Sequence, residues 1–134
     1  MQDPKNFYIS TQAIIKAEGQ GLAMKKTFDD KEIFTLPGGR IDHGEMLLET
    51  LHRELKEETG ADIDTEDAEY IGNYMSPRDF DNGNGLFILI FKIELPKKFD
   101  VVLSEEHTGF EWCPWEEYLE LGFHYEGVKL KKFL

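Results

Sequence analysis

The chain carries a single cysteine, Cys113, so no intramolecular disulfide can staple it and the fold must rest on buried apolar area. Set between Trp112 and Pro114, that thiol reads as a buried structural group rather than a nucleophile. Basic residues are scarce as well: 15 Lys and Arg against 27 Asp and Glu leave a formal charge of −12. Such an excess of acid counts against a protein that tracks the phosphates of DNA or RNA, and against one that docks on an anionic membrane. No apolar run reaches bilayer-spanning length, and the first residues lack the apolar core of a signal peptide. The four histidines, His43, His52, His107 and His124, show no zinc-ligand spacing. No repeat and no low-complexity segment appears. These absences predict a cytoplasmic, globular protein, and 134 residues suffice for one domain, 1–134.

The strand formers of 7–17 (FYISTQAIIKA) predict a first strand, and 22–27 (LAMKKT) the strand returning from a turn at 18–21. A short extended piece, 33–36, delivers the chain to Pro37-Gly38-Gly39. Residues 68–75 read as a strand with Gly72 as a possible bulge. The stretch 76–85 (SPRDFDNGNG) reads as a mobile loop or hairpin tip, and 86–95 (LFILIFKIEL) as a central strand covered on both faces. A last short strand is predicted at 110–113, with short helices at 115–121 and 128–134. Strands on both sides of one long helix, with a short helix at the end, predict an α+β domain or an α/β sandwich built on a mixed sheet.

That helix lies inside 39–61, GRIDHGEMLLETLHRELKEETGA. Its periodicity predicts a helix from about Glu45 to Thr59, stopped by Gly60 in a left-handed conformation. Leu47, Leu48, Leu51 and Leu55 form one apolar stripe. Glu54, Glu57 and Glu58, at i, i+3 and i+4, share a face beside it. Carboxylates so close raise one another's pKa unless a cation intervenes. Hard oxygen donors with few nitrogens or sulfurs suit Mg²⁺ or Mn²⁺. The chemistry that follows is metal-assisted attack of water on a phosphorus of a diphosphate.

The same stretch resembles the signature of the Nudix hydrolases. Gly39, Glu45, Arg53-Glu54, Leu55, Glu57-Glu58, Gly60 and Ala61 occupy every place of the Nudix box. Ala61 is small for its slot, and Asp42 stands where many members carry Glu. The resemblance implies an α/β/α sandwich and a Mg²⁺-dependent pyrophosphohydrolase, with Mn²⁺ as a possible substitute. It implies Glu54, Glu57 and Glu58 as principal metal ligands, Glu45 assisting, and Gly38 and Gly39 bringing backbone groups to the cluster. Arg53 is read as orienting a box carboxylate, with direct phosphate contact as the alternative. The general base is Glu54, or a residue of the distal pair Glu105 and Glu106, with Glu106 favoured.

For substrate, Pro77 lies 16 residues beyond Ala61, a spacing resembling the ADP-ribose pyrophosphatase branch. The run LSEEHTGFEW instead resembles the dinucleoside tetraphosphate branch. Phe28, Phe34, Tyr74 and Phe80 are candidate base-stacking residues, and Arg78 a candidate phosphate contact; core or loop packing is the alternative for each. The expected partner is a small nucleotide, handled by a monomer or homodimer. Three readings remain: a hydrolase of nucleoside diphosphates linked to another moiety, a sanitising nucleoside triphosphate pyrophosphatase, and a non-catalytic nucleotide-binding module.

Overall fold

The computed structural model describes residues 3–124 and 126–134. Its elements run β1 (Phe7–Ala17), β2 (Gln20–Phe28), β3 (Lys31–Thr35), β4 (Gly38–Arg40), α1 (Leu47–Thr59), β5 (Glu69–Met75), β6 (Gly85–Leu95), β7 (Gly109–Pro114), α2 (Trp115–Leu119), β8 (Gly122–Phe123), β9 (Val128–Lys129) and a closing 3₁₀ turn, Leu130–Phe133.

Everything hangs on β1. One edge pairs in parallel with the whole of β6, from Phe7 opposite Gly85 to Ala17 opposite Leu95. The other edge changes partner along its length. Lys16 and Ala17 pair with Gly21 and Gln20 of β2, whereas Ser10, Thr11 and Gln12 pair with Arg40, Gly39 and Gly38 of β4. After its first two residues β2 leaves β1 and bonds further on to β3, while β7 runs along β2 from Gln20 to Lys25. The two central strands therefore splay apart, and β4 fills only part of the gap.

Alternation sorts the side chains into two cores. Ala13, Ile15, Leu22, Met24, Phe91 and Ile93 face α1, meeting Leu51 and Leu55. Ile14, Ala23, Ile88, Ile90 and Cys113 face the other way, under Tyr118, Phe123 and Leu130. Helix, sheet and a second helical layer give the α/β/α sandwich. The long strand at 86–95 is covered on both faces, as its composition predicts. Segment 76–84 is the tip of the β5–β6 hairpin, and the register shift in β5 falls between Tyr70 and Gly72. The tip is tied to the start of the chain: Lys5 Nζ meets Asp79 Oδ1 at 2.8 Å, Asn82 Nδ2 donates to the Tyr8 hydroxyl at 2.8 Å, and the Gly85 N–H donates to Asn6 O at 2.9 Å.

Helix α1 begins two residues later than expected, at Leu47, and stops at Gly60, whose φ of 78° is the left-handed value a glycine accepts without strain. The helix expected at 128–134 is a correction. Val128 and Lys129 are extended and pair with Phe123 and Gly122, leaving a single 3₁₀ turn at Leu130–Phe133. So short a segment cannot repay helix nucleation, and sheet pairing takes its first two residues. Among the described residues, no helix is long and apolar enough to cross a membrane.

Leu51 is fully buried against both sheet strands and the loop after β6. Leu51→Ala should lower unfolding free energy by about 2–5 kcal/mol through lost burial and the cavity left behind; chemical denaturation should show it as a lower midpoint at constant slope.

Candidate active site

Where β1 and β2 part, a cleft of about 640 Å³ opens, floored by Ser10 and Gln12, walled by Lys26, Thr27, Ile33 and Thr35, and closed at one end by Gly38, Gly39 and Glu54. Two glycines let β4 sit close to β1 on one side and to α1 on the other. A Cβ on Gly38, at φ 147°, would fall 2.0 Å from the Thr11 carbonyl oxygen. A Cβ on Gly39 would fall 2.3 Å from the Glu54 carboxyl carbon, so that carboxylate occupies the space any side chain here would need.

Arg53 stands among the acids. Its Nε and Nη2 fork Glu45 at 2.7 and 3.0 Å, and its Nη1 donates to Glu54 Oε1 at 2.8 Å and to both Glu57 oxygens at 3.3 Å. Nη2 also lies 3.3 Å from Asp42 Oδ2. Glu45 further accepts from the Asp42 N–H and the Thr50 hydroxyl, both at 3.0 Å. The guanidinium fork, with these donors, pulls the Glu45 pKa down to about 2.

One turn further, beyond that cation, the balance reverses. Glu58 is buried, and its Oε1 accepts the Gly38 N–H at 2.7 Å. Burial pushes its pKa up to about 8; the Gly38 bond opposes this, and the charges of Glu54 and Glu106 add to it. Glu54, half-buried, is raised too, by desolvation first. His107 Nε2 lies 3.9 Å from Glu58 Oε2, a distance that would pass for an ion pair, yet burial lowers the His107 pKa while it raises that of Glu58. Burial thus acts on both groups in the same sense, pushing each toward its uncharged form.

Sequence and structure can now be set side by side. Glu45, Glu54 and Glu57 gather round Arg53, and Glu58 meets Gly38 behind them. Glu106 lines the cleft, and its charge reaches Glu54 and Glu58; Glu105 is exposed and lines no part of it. Phe80 lines the cleft and also an adjoining apolar recess of about 210 Å³, which Phe28, Arg78, Leu86 and His124 share. Phe34 and Tyr74 border neither space. Phe34 packs into the second core, and Tyr74 lies edge-on to Phe123 with its hydroxyl donating to Glu126. Among the described residues, no three His, Cys, Asp or Glu side chains are arranged to hold a metal ion. Sequence reasoning missed His107, Lys26 and Arg40. The first sat in the quoted LSEEHTGFEW run, but only the fold shows it facing Glu58.

A family model described as "NUDIX domain" matches residues 10–132. The chain belongs to the Nudix family. It is 30% identical over 96 residues to Nudix hydrolase 2 of Arabidopsis thaliana, covering 72% of this chain and 34% of that protein. It is 34% identical over 53 residues to the phosphatase NudJ of Escherichia coli K12, covering 40% of this chain and 35% of that one. These matches span about a third of the length of either relative. Among solved structures, a MutT protein from Methanosarcina mazei superposes with a TM-score of 0.78 at 24% identity, covering 98% of this chain and 96% of that one. The two-layered packing about a mixed sheet is thus the Nudix fold.

The buried acid of this Nudix domain should leave a mark on stability. Glu58 ionises near pH 4.5 when unfolded but near pH 8 when folded. Unfolding therefore releases its proton across that window, and the metal-free protein should lose stability, on the order of a few kcal/mol, as pH rises from about 4.5 to about 8. Glu58→Gln should flatten that slope in denaturation curves taken across the same range.

Proposed function

We propose that this Nudix protein is a metal-dependent hydrolase that cleaves the diphosphate linkage of a nucleoside diphosphate joined to another moiety. The observation that carries this reading is the edge of α1: Glu54 lines a nucleotide-sized cleft against Gly39, Glu58 accepts the Gly38 N–H, and Glu57 shares the Arg53 guanidinium with Glu54.

The donor chemistry fits a hard divalent cation such as Mg²⁺, or Mn²⁺. All the candidate side-chain ligands are carboxylate oxygens, and burial raises the pKa of two of the acids, Glu54 and Glu58. Glu54, Glu57 and Glu58 would hold the ion once their carboxylates, engaged here by Arg53 and the Gly38 N–H, turned toward one point, with Glu45 assisting and the backbone at Gly38 and Gly39 giving it room. When bound, the cation would neutralise the phosphate oxygens and acidify the attacking water.

The chain's own groups supply the rest. Arg53 orients Glu45, Glu54 and Glu57 through the bonds described, and its fork is fully occupied by carboxylates, so the phosphate-contact alternative loses ground. A proton leaving the water would pass to Glu54 or to Glu106, both of which line the cleft. The apolar recess behind Phe80 suits one aromatic base. That single recess also favours a second reading, pyrophosphate release from a nucleoside triphosphate, whose only bulky end is the base. The complete set of box glutamates weighs against a non-catalytic module.

Product release should be followed over nucleotide sugars, ADP-ribose, dinucleoside polyphosphates and nucleoside triphosphates with Mg²⁺. Chelation should abolish turnover, and Mg²⁺ or Mn²⁺ should restore it. Glu57→Gln keeps size but removes a charge, and should lower kcat by about two orders of magnitude or more with the thermal midpoint retained. Full activity in metal-stripped protein would overturn the reading.

A further inference from the structure

Three arginines occur in the chain. Arg53 is committed to carboxylates, and Arg78 Nε lies 3.6 Å from Glu126. Arg40 is placed differently. Its guanidinium carbon lies 4.8 Å from the centroid of the Tyr8 ring and 5.5 Å from that of Phe80, while the two rings meet edge to face at 5.0 Å. No ion pair joins Arg40 to a carboxylate among the described residues. In a chain with twelve more acids than bases, an exposed guanidinium is thus held by ring faces and kept off acid partners.

The sheet builds this arrangement. Arg40 pairs with Ser10, and Tyr8 lies two residues along β1 on the same face, the diagonal position from which an aromatic ring reaches a long side chain. The Tyr8 hydroxyl accepts from Asn82, and the Phe80 N–H donates to Asn84 O at 2.9 Å, so the hairpin tip fixes both rings. A guanidinium stacked by its face keeps its N–H edges for in-plane acceptors, and a phosphoryl group matches that fork. Arg40 lines the cleft beside Gly39, next in sequence, and Phe80 beneath it also borders the apolar recess. The cation thus stands between the recess and the carboxylates.

We propose that Arg40, braced on Tyr8 and Phe80, is a phosphate subsite that forks the phosphoryl group on the nucleoside side of the scissile bond. The assignment of that side rests on the hydrolase reading above; the phosphate site itself does not. The ligand class is a nucleoside 5′-phosphate, the part of the substrate that remains on the nucleoside after cleavage.

Isothermal titration with the 5′-monophosphates of adenosine, guanosine, cytidine and uridine, and with the four parent nucleosides, tests it directly. Wild type should bind at least one monophosphate tenfold or more tighter than its nucleoside, and Arg40→Ala should erase that difference. Arg40→Lys, which keeps the charge without the fork, should restore it only in part. Tyr8→Leu should weaken phosphate binding with Arg40 intact. For the best substrate of the hydrolysis panel, Arg40→Ala should raise KM tenfold or more while kcat stays within about threefold. Unchanged monophosphate binding in Arg40→Ala, or no preference for monophosphate over nucleoside in wild type, overturns the subsite. Absence of hydrolysis in wild type would instead sink the activity reading, and the titrations would still decide Arg40. Circular dichroism and thermal melts should confirm that the exposed Arg40 can be changed without loss of fold.

Discussion

Four carboxylates, Asp42, Glu45, Glu54 and Glu57, come within ion-pair distance of one guanidinium. Without Arg53 they would repel one another across a single turn of helix and the loop before it. With it, Glu45 is drawn back from the 42–46 segment onto the helix, and Thr50 and the Asp42 N–H complete its hydrogen bonds. The loop and the helix start therefore behave as one piece, which in turn seats Gly39 against Glu54.

Glu58, one turn on from Glu54, lies outside this cation's reach; it accepts the Gly38 N–H, and burial raises its pKa. The loop before α1 and the helix itself thus hold two electrostatic regimes, with Arg53 lowering the pKa of Glu45 and burial raising that of Glu58. Burial sets the boundary between them, because the second core-facing turn of α1 carries Leu55, Glu58 and Thr59 into the interior. The same burial lowers the His107 pKa beside that acid.

Much of the fold was legible in the pattern. The long strands β1 and β6, the apolar stripe of α1 and its glycine stop announce themselves through periods of 2 and 3.6 residues. Short elements were not. Gly38–Arg40 forms a strand only because Thr11 and Gln12 lie alongside, and Gly122–Phe123 and Val128–Lys129 are strands only through each other and β3. In the site, the glutamates shared one helix face and could be grouped by spacing. Phe34 and Tyr74 could not be judged so, because a strand aromatic faces core or cleft according to a register the sequence does not print. Arg40 and its two rings are separated by 32 and 40 positions, and only the pairing of β4 with β1, together with the returning hairpin, brings them into contact.

The change of partner along β1 divides the labour of the molecule. The part of the cleft nearest the acids is framed by main-chain hydrogen bonds and by helix α1, both of which tolerate little alteration. Its far rim takes Phe80 from the hairpin tip at residues 76–84, between β5 and β6, and the adjoining recess takes Phe28 from the end of β2. Such tips can lengthen, shorten or exchange residues while every strand keeps its register. A lineage built on this frame can keep the acids of α1 in place and vary the residues round the recess, because the two sit in segments with separate folding constraints.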